Sequence, residues 1–292
     1  MKKWLTKKTK IILCMLSAII FALLIWTIWG NTALTVSNIK ISSSRIPPAF
    51  SGFRIAQVSD LHNAEFGKGN KKLLELLSES KPDIIVITGD FVDAGHTDID
   101  VALDFAKGAI SIAPVYYVTG NHEASLSQSQ YDELKTGLEA IGVIVLEDEA
   151  IQLKHEKETI TLIGLSDPNF TLKGDMFGEA PAMVSTKLNS LVNDESSYTI
   201  LLSHRPELFE SYAHCNIDLV LSGHAHGGQF RLPFIGGLVA PDQGIFPKYD
   251  AGLFTNGSTN MIVSRGLGNS IIPIRFNNRP EVIVIELLNT DL

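Results

Sequence analysis

The chain begins with a charged head followed by one unbroken apolar run. From Ile11 to Trp29 it reads IILCMLSAIIFALLIWTIW, without a charged residue. A helix of that length spans about 28 Å, close to the hydrocarbon thickness of a bilayer, so the run predicts a transmembrane helix over 11–29. Trp26 and Trp29 stand at its far end, where indole rings favour the membrane interface. They occupy the place where a signal peptide would carry small residues for cleavage, which favours an uncleaved anchor over a cleaved leader. Residues 31–50 are polar, end in Pro47-Pro48 and show no long helical pattern. They form either a short tether or, around Leu34–Ile41, an edge strand of the next domain.

Beyond residue 52 the pattern becomes a series of short apolar runs, each ending in a polar or glycine-rich turn. Phe53–Ser59, Ile84–Thr88, Val115–Thr119, Ile160–Gly164, Thr199–Ser203 and Asp218–Ser222 predict buried strands. Amphipathic helices lie between the first of them: Lys71–Ser80, with leucines at 73, 74, 76 and 77, and Val101–Ala109. Strand and helix alternating at this spacing predict βαβ units and a largely parallel sheet. Val143–Leu146, Ile151–Lys154 and Ile160–Ile163, separated by charged turns, predict a β-meander. Helix-bearing units together with hairpins give an α/β fold, two sheets packed together with helices outside, in a single domain over 51–292. No internal repeat or low-complexity segment interrupts it.

Composition narrows the function classes. With 292 residues, 45% of them hydrophobic, the chain is far too apolar to be disordered. Its formal charge is −8, but five lysines crowd the first ten residues; without them 19 basic residues face 32 acidic ones, a net −13. The positive-inside rule keeps 1–10 as a cytoplasmic tail and puts the domain on the outer face. So acidic a domain argues against nucleic acid held by Lys and Arg. Cys14 lies in the apolar run and Cys215 stands alone, so no disulfide framework is expected.

Open α/β sheets bind ligands beyond the carboxyl ends of their strands. Here those ends read Ser59-Asp60-Leu61-His62, Gly89-Asp90, Gly120-Asn121-His122-Glu123, His204 and Gly223-His224-Ala225-His226. Singly the motifs are weak. Asp60-x-His62 and Gly89-Asp90 could be turns, and Gly120–Glu123 could be a helix start capped by Asn121 with Glu123 on the positive end. The Gly-His-x-His pair is stronger, because two imidazoles two apart reach one cation or two. Together the motifs bring five imidazoles and the carboxylates of Asp60 and Asp90 into one crevice, and a cation is the natural compensating partner. Mixed nitrogen and oxygen donors without thiolates suit Mn²⁺, Fe or Zn²⁺.

In order and approximate separation these motifs resemble the full signature of the calcineurin-like metallophosphoesterase family, over about residues 53–230. Ser264-Arg265-Gly266-Leu267-Gly268-Asn269 and His226-Gly227-Gly228-Gln229 resemble its membrane-anchored bacterial branch. The resemblance implies an αββα sandwich holding two divalent ions. It implies Asp60, His62 and His226 on one metal, Asn121, His204 and His224 on the other, and Asp90 bridging both. In that scheme His122 has no ligand role and is placed to protonate a leaving group, with Glu123 as a candidate orienting partner. Two divalent ions against two Asp carboxylates leave about +2, a local cation for phosphate on an acidic protein.

Other residues read as ordinary. His96, His155 and His214 are expected at the surface and Asp93 in a turn or helix cap. Arg205 reads equally as a contact to substrate phosphate or a surface salt bridge, and residues 227–238 as a pocket wall or a packed hairpin. The expected protein is a membrane-anchored phosphohydrolase using two divalent metal ions, a phosphodiesterase foremost, whose phosphoester substrate is lipid- or wall-linked. One alternative is a pyrophosphatase on a lipid-bearing nucleotide-sugar such as diacylated UDP-glucosamine, which favours an inward-facing site. Another is a non-catalytic metal-binding envelope module, against which an intact His122 counts.

Overall fold

The computed structural model describes residues 6–172, 178–192, 194 and 196–292; Lys2 and Lys3 of the basic tail lie outside them. The apolar run forms helix α1 (Lys7–Thr32), begun by Thr6, whose hydroxyl accepts the Thr9 N–H at 3.2 Å. Gly30 is the one buried residue of this helix, so its apolar side chains face outward rather than into a protein core. By length and composition α1 can cross a membrane. The segment after it is a strand and not a tether. Strand β1 (Thr35–Ser43) pairs in parallel with the C-terminal strand β16 (Glu281–Asn289) along its whole length, Thr35 opposite Glu281 and Ser43 opposite Asn289.

Two six-stranded mixed sheets follow. The first also contains β2 (Arg54–Val58), β3 (Ile84–Thr88), β4 (Val115–Val118) and β5 (Ile144–Val145), in the order β1-β16-β2-β3-β4-β5. The second contains β6 (Glu149–His155), β7 (Glu158–Gly164), β8 (Thr199–Leu202), β9 (Leu219–Ser222), β14 (Gly252–Asn256) and β15 (Thr259–Val263), in the order β14-β15-β9-β8-β7-β6. Between β9 and β14 lie two short ribbons, β10 (Arg231–Leu232) with β11 (Gly236–Gly237) and β12 (Val239–Ala240) with β13 (Gly244–Ile245).

The expected meander is divided between the sheets. Helix α5 (Gln128–Ile141) carries the chain back to the start of the first sheet, and Gly142, at φ 102°, ends it. The run after it therefore lies parallel to β4 as β5, and only β6 and β7 form a hairpin. The charged residues near 147–149 are the crossing from one sheet to the other, which a hairpin turn resembles in sequence.

The central strands are apolar on both faces, as their unbroken runs require. In β3, Ile84 and Val86 face the second sheet while Ile85 and Ile87 face helices; in β9, Leu219 and Leu221 face the first sheet and Val220 the other way. Outside the first sheet lie α2 (Lys71–Ser80), α3 (Ile99–Ile110) and α5. The Asp98 carboxylate caps α3 by accepting the Val101 N–H, and Ala102, Phe105, Ala106 and Ala109 form its buried face at helical spacing. Outside the second lie α7 (Ala180–Leu191) and α8 (Phe209–His214). Short helices α4 (Asn121–Ala124) and α6 (Asn169–Leu172) complete the αββα arrangement. One polar tie crosses the apolar interior: the Gln57 amide donates to Thr88 Oγ1 at 3.0 Å and to the Ser222 carbonyl at 2.9 Å, joining both sheets below their carboxyl ends.

Candidate metal centre

Five strand ends from two sheets meet at one edge of the sandwich. β2 delivers Asp60 and His62, β3 Asp90, β4 Asn121 and His122, β8 His204, and β9 His224 and His226. The loops turn sharply there. Asp60, His62, Asp90, His224 and His226 all hold positive φ, between 45° and 66°. Such backbone costs on the order of 1–3 kcal/mol per residue, and its concentration at one place marks a site for which the fold sacrifices stability. The glycines of the motifs serve close approach. A Cβ on Gly120 would lie 2.3 Å from Asp90 Oδ1, and one on Gly223 would lie 1.9 Å from Ser59 Oγ.

The donor atoms fall into two groups that share a member. One oxygen or ring nitrogen from each of Asp60, His62, Asp90 and His226 lies within 4.8 Å of the others, and so it is for Asp90, His204 and His224. Asp90 Oδ2 stands 3.5 Å from His62 Nε2 on one side and 3.1 Å from His204 Nε2 on the other. The two rings His62 and His226 bring their Nε2 atoms to 3.2 Å. His204 Nδ1 is tied to the Thr88 carbonyl at 2.8 Å, which leaves its Nε2 turned toward Asp90 without hydrogen-bond alignment. His62 Nδ1, Asn121 Oδ1 and His204 Nε2 are buried with no hydrogen-bond partner among the described residues. Buried polar atoms of this kind are costly unless something else satisfies them. Carboxylates, imidazoles and an amide oxygen of this arrangement fit divalent cations of the Mn, Fe or Zn type.

The charges of two of the rings agree with that fit, and Asp90 sets the charge of a third. Burial pushes His62 down to about 4 and His226 down to about 3, so both are neutral and ready to donate a lone pair. Burial alone would lower His204 too, but the Asp90 carboxylate overrides it and lifts His204 to about 10.

A supporting layer surrounds the donors, and sequence reasoning found little of it. Glu123 is fully enclosed; burial, then the charge of Asp90, push its carboxyl up to about 7. It does not touch His122, contrary to the expectation that it orients that ring. Its oxygens accept the backbone N–H groups of Asp90 (2.9 Å), Phe91 (2.7 Å), Val92 (3.2 Å) and Gly120 (2.6 Å). It is the pin of the Asp90 loop, and the residue that caps α4 is Gly120 rather than Asn121. Arg205 is no surface residue either. It grips Asp167 through Nε at 2.5 Å and Nη2 at 3.1 Å, reaches Asp242, and brings Nη1 to 3.2 Å from His224 Nε2. Asp242 itself lies 2.9 Å from His224 Nε2. On the other side Arg275 is completely buried, donating to the carbonyls of Arg265 and Gly268, with Nη2 3.4 Å from His226 Nδ1.

Over the donors opens a cavity of about 260 Å³, lined by Asn121, His122, Gln229, Val239–Pro241 and Ser270–Ile272. Of residues 227–238 only Gln229 lines it, and the wall expected from that segment comes mainly from just beyond. His122 stands at the mouth. Its backbone N–H donates to Asp90 Oδ1 at 2.9 Å, Nδ1 accepts the Ala94 N–H at 3.0 Å, and Nε2 lies 3.1 Å from Ser270 Oγ. Asp93 makes the expected turn, its Oδ1 accepting the N–H groups of Gly95 and His96, while Oδ2 comes to 3.6 Å from His62 Nδ1. His96 and His214 are exposed, but His155 is half-buried against Phe50 and Phe53, because the strand that carries it closes over that end of the core.

An αββα sandwich with this donor set at its edge defines a metal-dependent phosphoester hydrolase. Residues 53–228 match the family model described as calcineurin-like phosphoesterase, and the chain belongs to that family. It is 32% identical over 259 residues to the metallophosphoesterase YkuE of Bacillus subtilis (strain 168), covering 86% of this chain and 84% of YkuE. It is 28% identical to the phosphodiesterase YaeI of Escherichia coli (strain K12) over 244 residues, 81% of this chain and 82% of YaeI. The crystal structure of TT1561 of Thermus thermophilus shares the fold, with a TM-score of 0.50 at 12% identity over 74% of this chain and 91% of that one.

Proposed function

We propose that the chain is a membrane-anchored phosphodiesterase whose centre takes two divalent ions. Asp60, His62 and His226 would hold one, Asn121, His204 and His224 the other, and Asp90 both. The observation that carries this reading is the position of Asp90, its Oδ2 3.5 Å from His62 Nε2 and 3.1 Å from His204 Nε2, with His204 Nε2 satisfied by nothing else described. When bound, such a pair supplies an activated water and neutralises the phosphoryl oxygens. The chain's own residues do the rest. The Thr88 carbonyl holds the His204 ring through Nδ1, a device that fixes the tautomer of a ligating imidazole and leaves Nε2 for the ion. The Ala94 N–H donates to His122 Nδ1, and Nε2 faces the cavity. As imidazolium, with Nδ1–H turned to the Asp93 carboxylate 3.8 Å away in place of the Ala94 N–H, His122 would pass its Nε2 proton to the departing alkoxide of a diester and return to neutral imidazole, help that general acids supply best to basic leaving groups. The name of the E. coli relative supports the diester preference. The five N-terminal lysines and α1 support a domain on the outer face of the membrane, acting on an envelope-borne substrate.

The full chain in detergent micelles with Mn²⁺ is expected to hydrolyse bis-p-nitrophenyl phosphate faster than p-nitrophenyl phosphate. Hydrolysis of the monoester alone would overturn the diester reading, and failure on both would point to a binder. A reporter enzyme fused after Leu292 should be active on the outer face; activity confined to the cytoplasm would reverse the orientation and favour the nucleotide-sugar alternative.

A further inference from the structure

The far end of α1 is joined to the catalytic edge by a short chain of hydrogen bonds. The Asn31 amide donates to the Arg275 carbonyl at 2.9 Å, and its carbonyl oxygen accepts the Arg275 N–H at 2.8 Å. Four residues on, Arg279 donates to the carbonyls of Ala33 (2.9 Å) and Leu34 (2.5 Å), and its guanidinium lies 4.5 Å above the Trp29 ring. Arg275 is the same residue whose guanidinium reaches His226. One residue therefore separates the end of the membrane helix from the donor cluster. If α1 spans a bilayer, the loop 269–276 is held where the bilayer meets water.

That loop and its neighbours are apolar where solvent would expect polar residues. Ile271 is 93% exposed, Ile274 is exposed, and Phe234 is entirely so, together with Ile235, Ile245 and Phe246. Most of the exposed large apolar side chains described beyond α1 belong to this region. They form one rim through hydrogen bonds: the Arg231 N–H donates to the Phe276 carbonyl, the Gln229 side-chain amide to the carbonyls of Ile272 and Ile274, and the Phe246 N–H to the Leu238 carbonyl. Phe234 and Phe246 sit at φ 68° and 57°, conformations that bulky residues rarely adopt. An aromatic ring in a strained turn, packed on nothing, adds nothing to folding in water; at a membrane interface it gains its burial from lipid.

We infer that this rim, Phe234–Ile235, Ile245–Phe246 and Ile271–Ile274, rests in the headgroup layer of the bilayer that holds α1. The cavity, with Ile271 on its wall, then opens onto the lipid surface, and its substrate is a phosphodiester carried by a membrane lipid. This rests on the anchor and the phosphodiesterase read above.

Depth can be read without activity. In the full chain with Cys14→Ser and Cys215→Ala, single cysteines at Phe234→Cys, Ile271→Cys, Ile20→Cys and Glu139→Cys take an environment-sensitive fluorophore. The labelled proteins are placed in phosphatidylcholine–phosphatidylglycerol nanodiscs with lipids spin-labelled near the headgroup end of the acyl chain or, for the label at 20 in mid-span, near its methyl end. Glu139 is exposed at the end of α5 opposite the strand carboxyl ends. The labels at 234 and 271 should be quenched at least about twofold more than the label at 139, as for side chains buried at the acyl boundary. Quenching at 234 and 271 no greater than at 139, with 20 strongly quenched, would overturn the rim while leaving the anchor. No quenching at 20 would remove the anchor and the rim with it. Both rim side chains are exposed, so the substitutions spare the fold, and Ile245→Cys and Phe246→Cys repeat the test at an independent ribbon. The phosphodiesterase reading is judged separately, by Mn²⁺-dependent hydrolysis of bis-p-nitrophenyl phosphate.

Discussion

The floor of the catalytic edge and its rim are built by opposite rules. The floor is buried and polar: Asp60, Asp90, His204 and His224 are almost wholly enclosed, and Glu123 pins the Asp90 loop through three backbone N–H groups and accepts that of Gly120 as a fourth. The rim is exposed and apolar, with Phe234 and Ile271 in open space on short ribbons and loops that belong to neither main sheet. Sheet topology places the chemistry, since five parallel-running strand ends must converge. Added loops then decide which surface the chemistry meets. His122 belongs to both regions, joined to the floor through Asp90 Oδ1 and to the rim through Ser270.

The sharpest way to break the floor is Asp90→Asn. It removes the one carboxylate common to both donor groups. Its expected cost exceeds the roughly 10–100-fold typical of residues that merely support a metal ligand. Metal content by elemental analysis should fall from two ions per chain, with activity lost; two ions retained with normal turnover would dissolve the shared-ligand arrangement. Next in size comes His122→Ala. It should keep both ions and lose about 10²–10⁴-fold on alkyl phosphodiesters, the usual worth of a general acid. With p-nitrophenolate, stable as the departing anion, the loss should be far smaller, and equal losses on both would make His122 a positioning residue instead.

Glu123→Gln separates support from ligation. The amide keeps the shape but turns two donor hydrogens toward N–H groups that had an acceptor, and each buried N–H left unsatisfied costs about 1–3 kcal/mol. A drop of roughly 10–100-fold in metal affinity is expected, with a lower melting temperature. Unchanged metal affinity by titration calorimetry would mean the Asp90 loop holds itself. The smallest effect belongs to the rim. Phe234→Ser should change the unfolding free energy by no more than about 0.5 kcal/mol, as for surface positions generally. A larger loss in a denaturant titration would show the ring packing on protein.

The clustering of these side chains was legible in sequence because each follows a strand that is apolar on both faces, and such runs stand out. The short glycine motifs locate the turns in the same way. What escaped were features made by distant segments meeting. Asp167 and Asp242 have no motif of their own; they matter because Arg205 reaches them across the second sheet's end. Arg275 likewise has no motif of its own, and only the fold encloses it between His226 and Asn31. Val143–Leu146 joined the wrong sheet on paper because a parallel return after a helix and a hairpin turn both leave a charged residue beside an apolar run. From sequence Glu123 reads as a partner of its neighbour, whereas three of its four contacts lie on the loop after β3 and the fourth is Gly120.

The central claim is that one carboxylate serves two metals. Crystals of the protein grown with Mn²⁺, measured at the manganese absorption edge, test it directly. The account predicts two anomalous peaks about 3.5–4 Å apart, as in other two-metal hydrolytic sites, with Asp90 touching both. A single peak, or two peaks of which Asp90 touches only one, would contradict it.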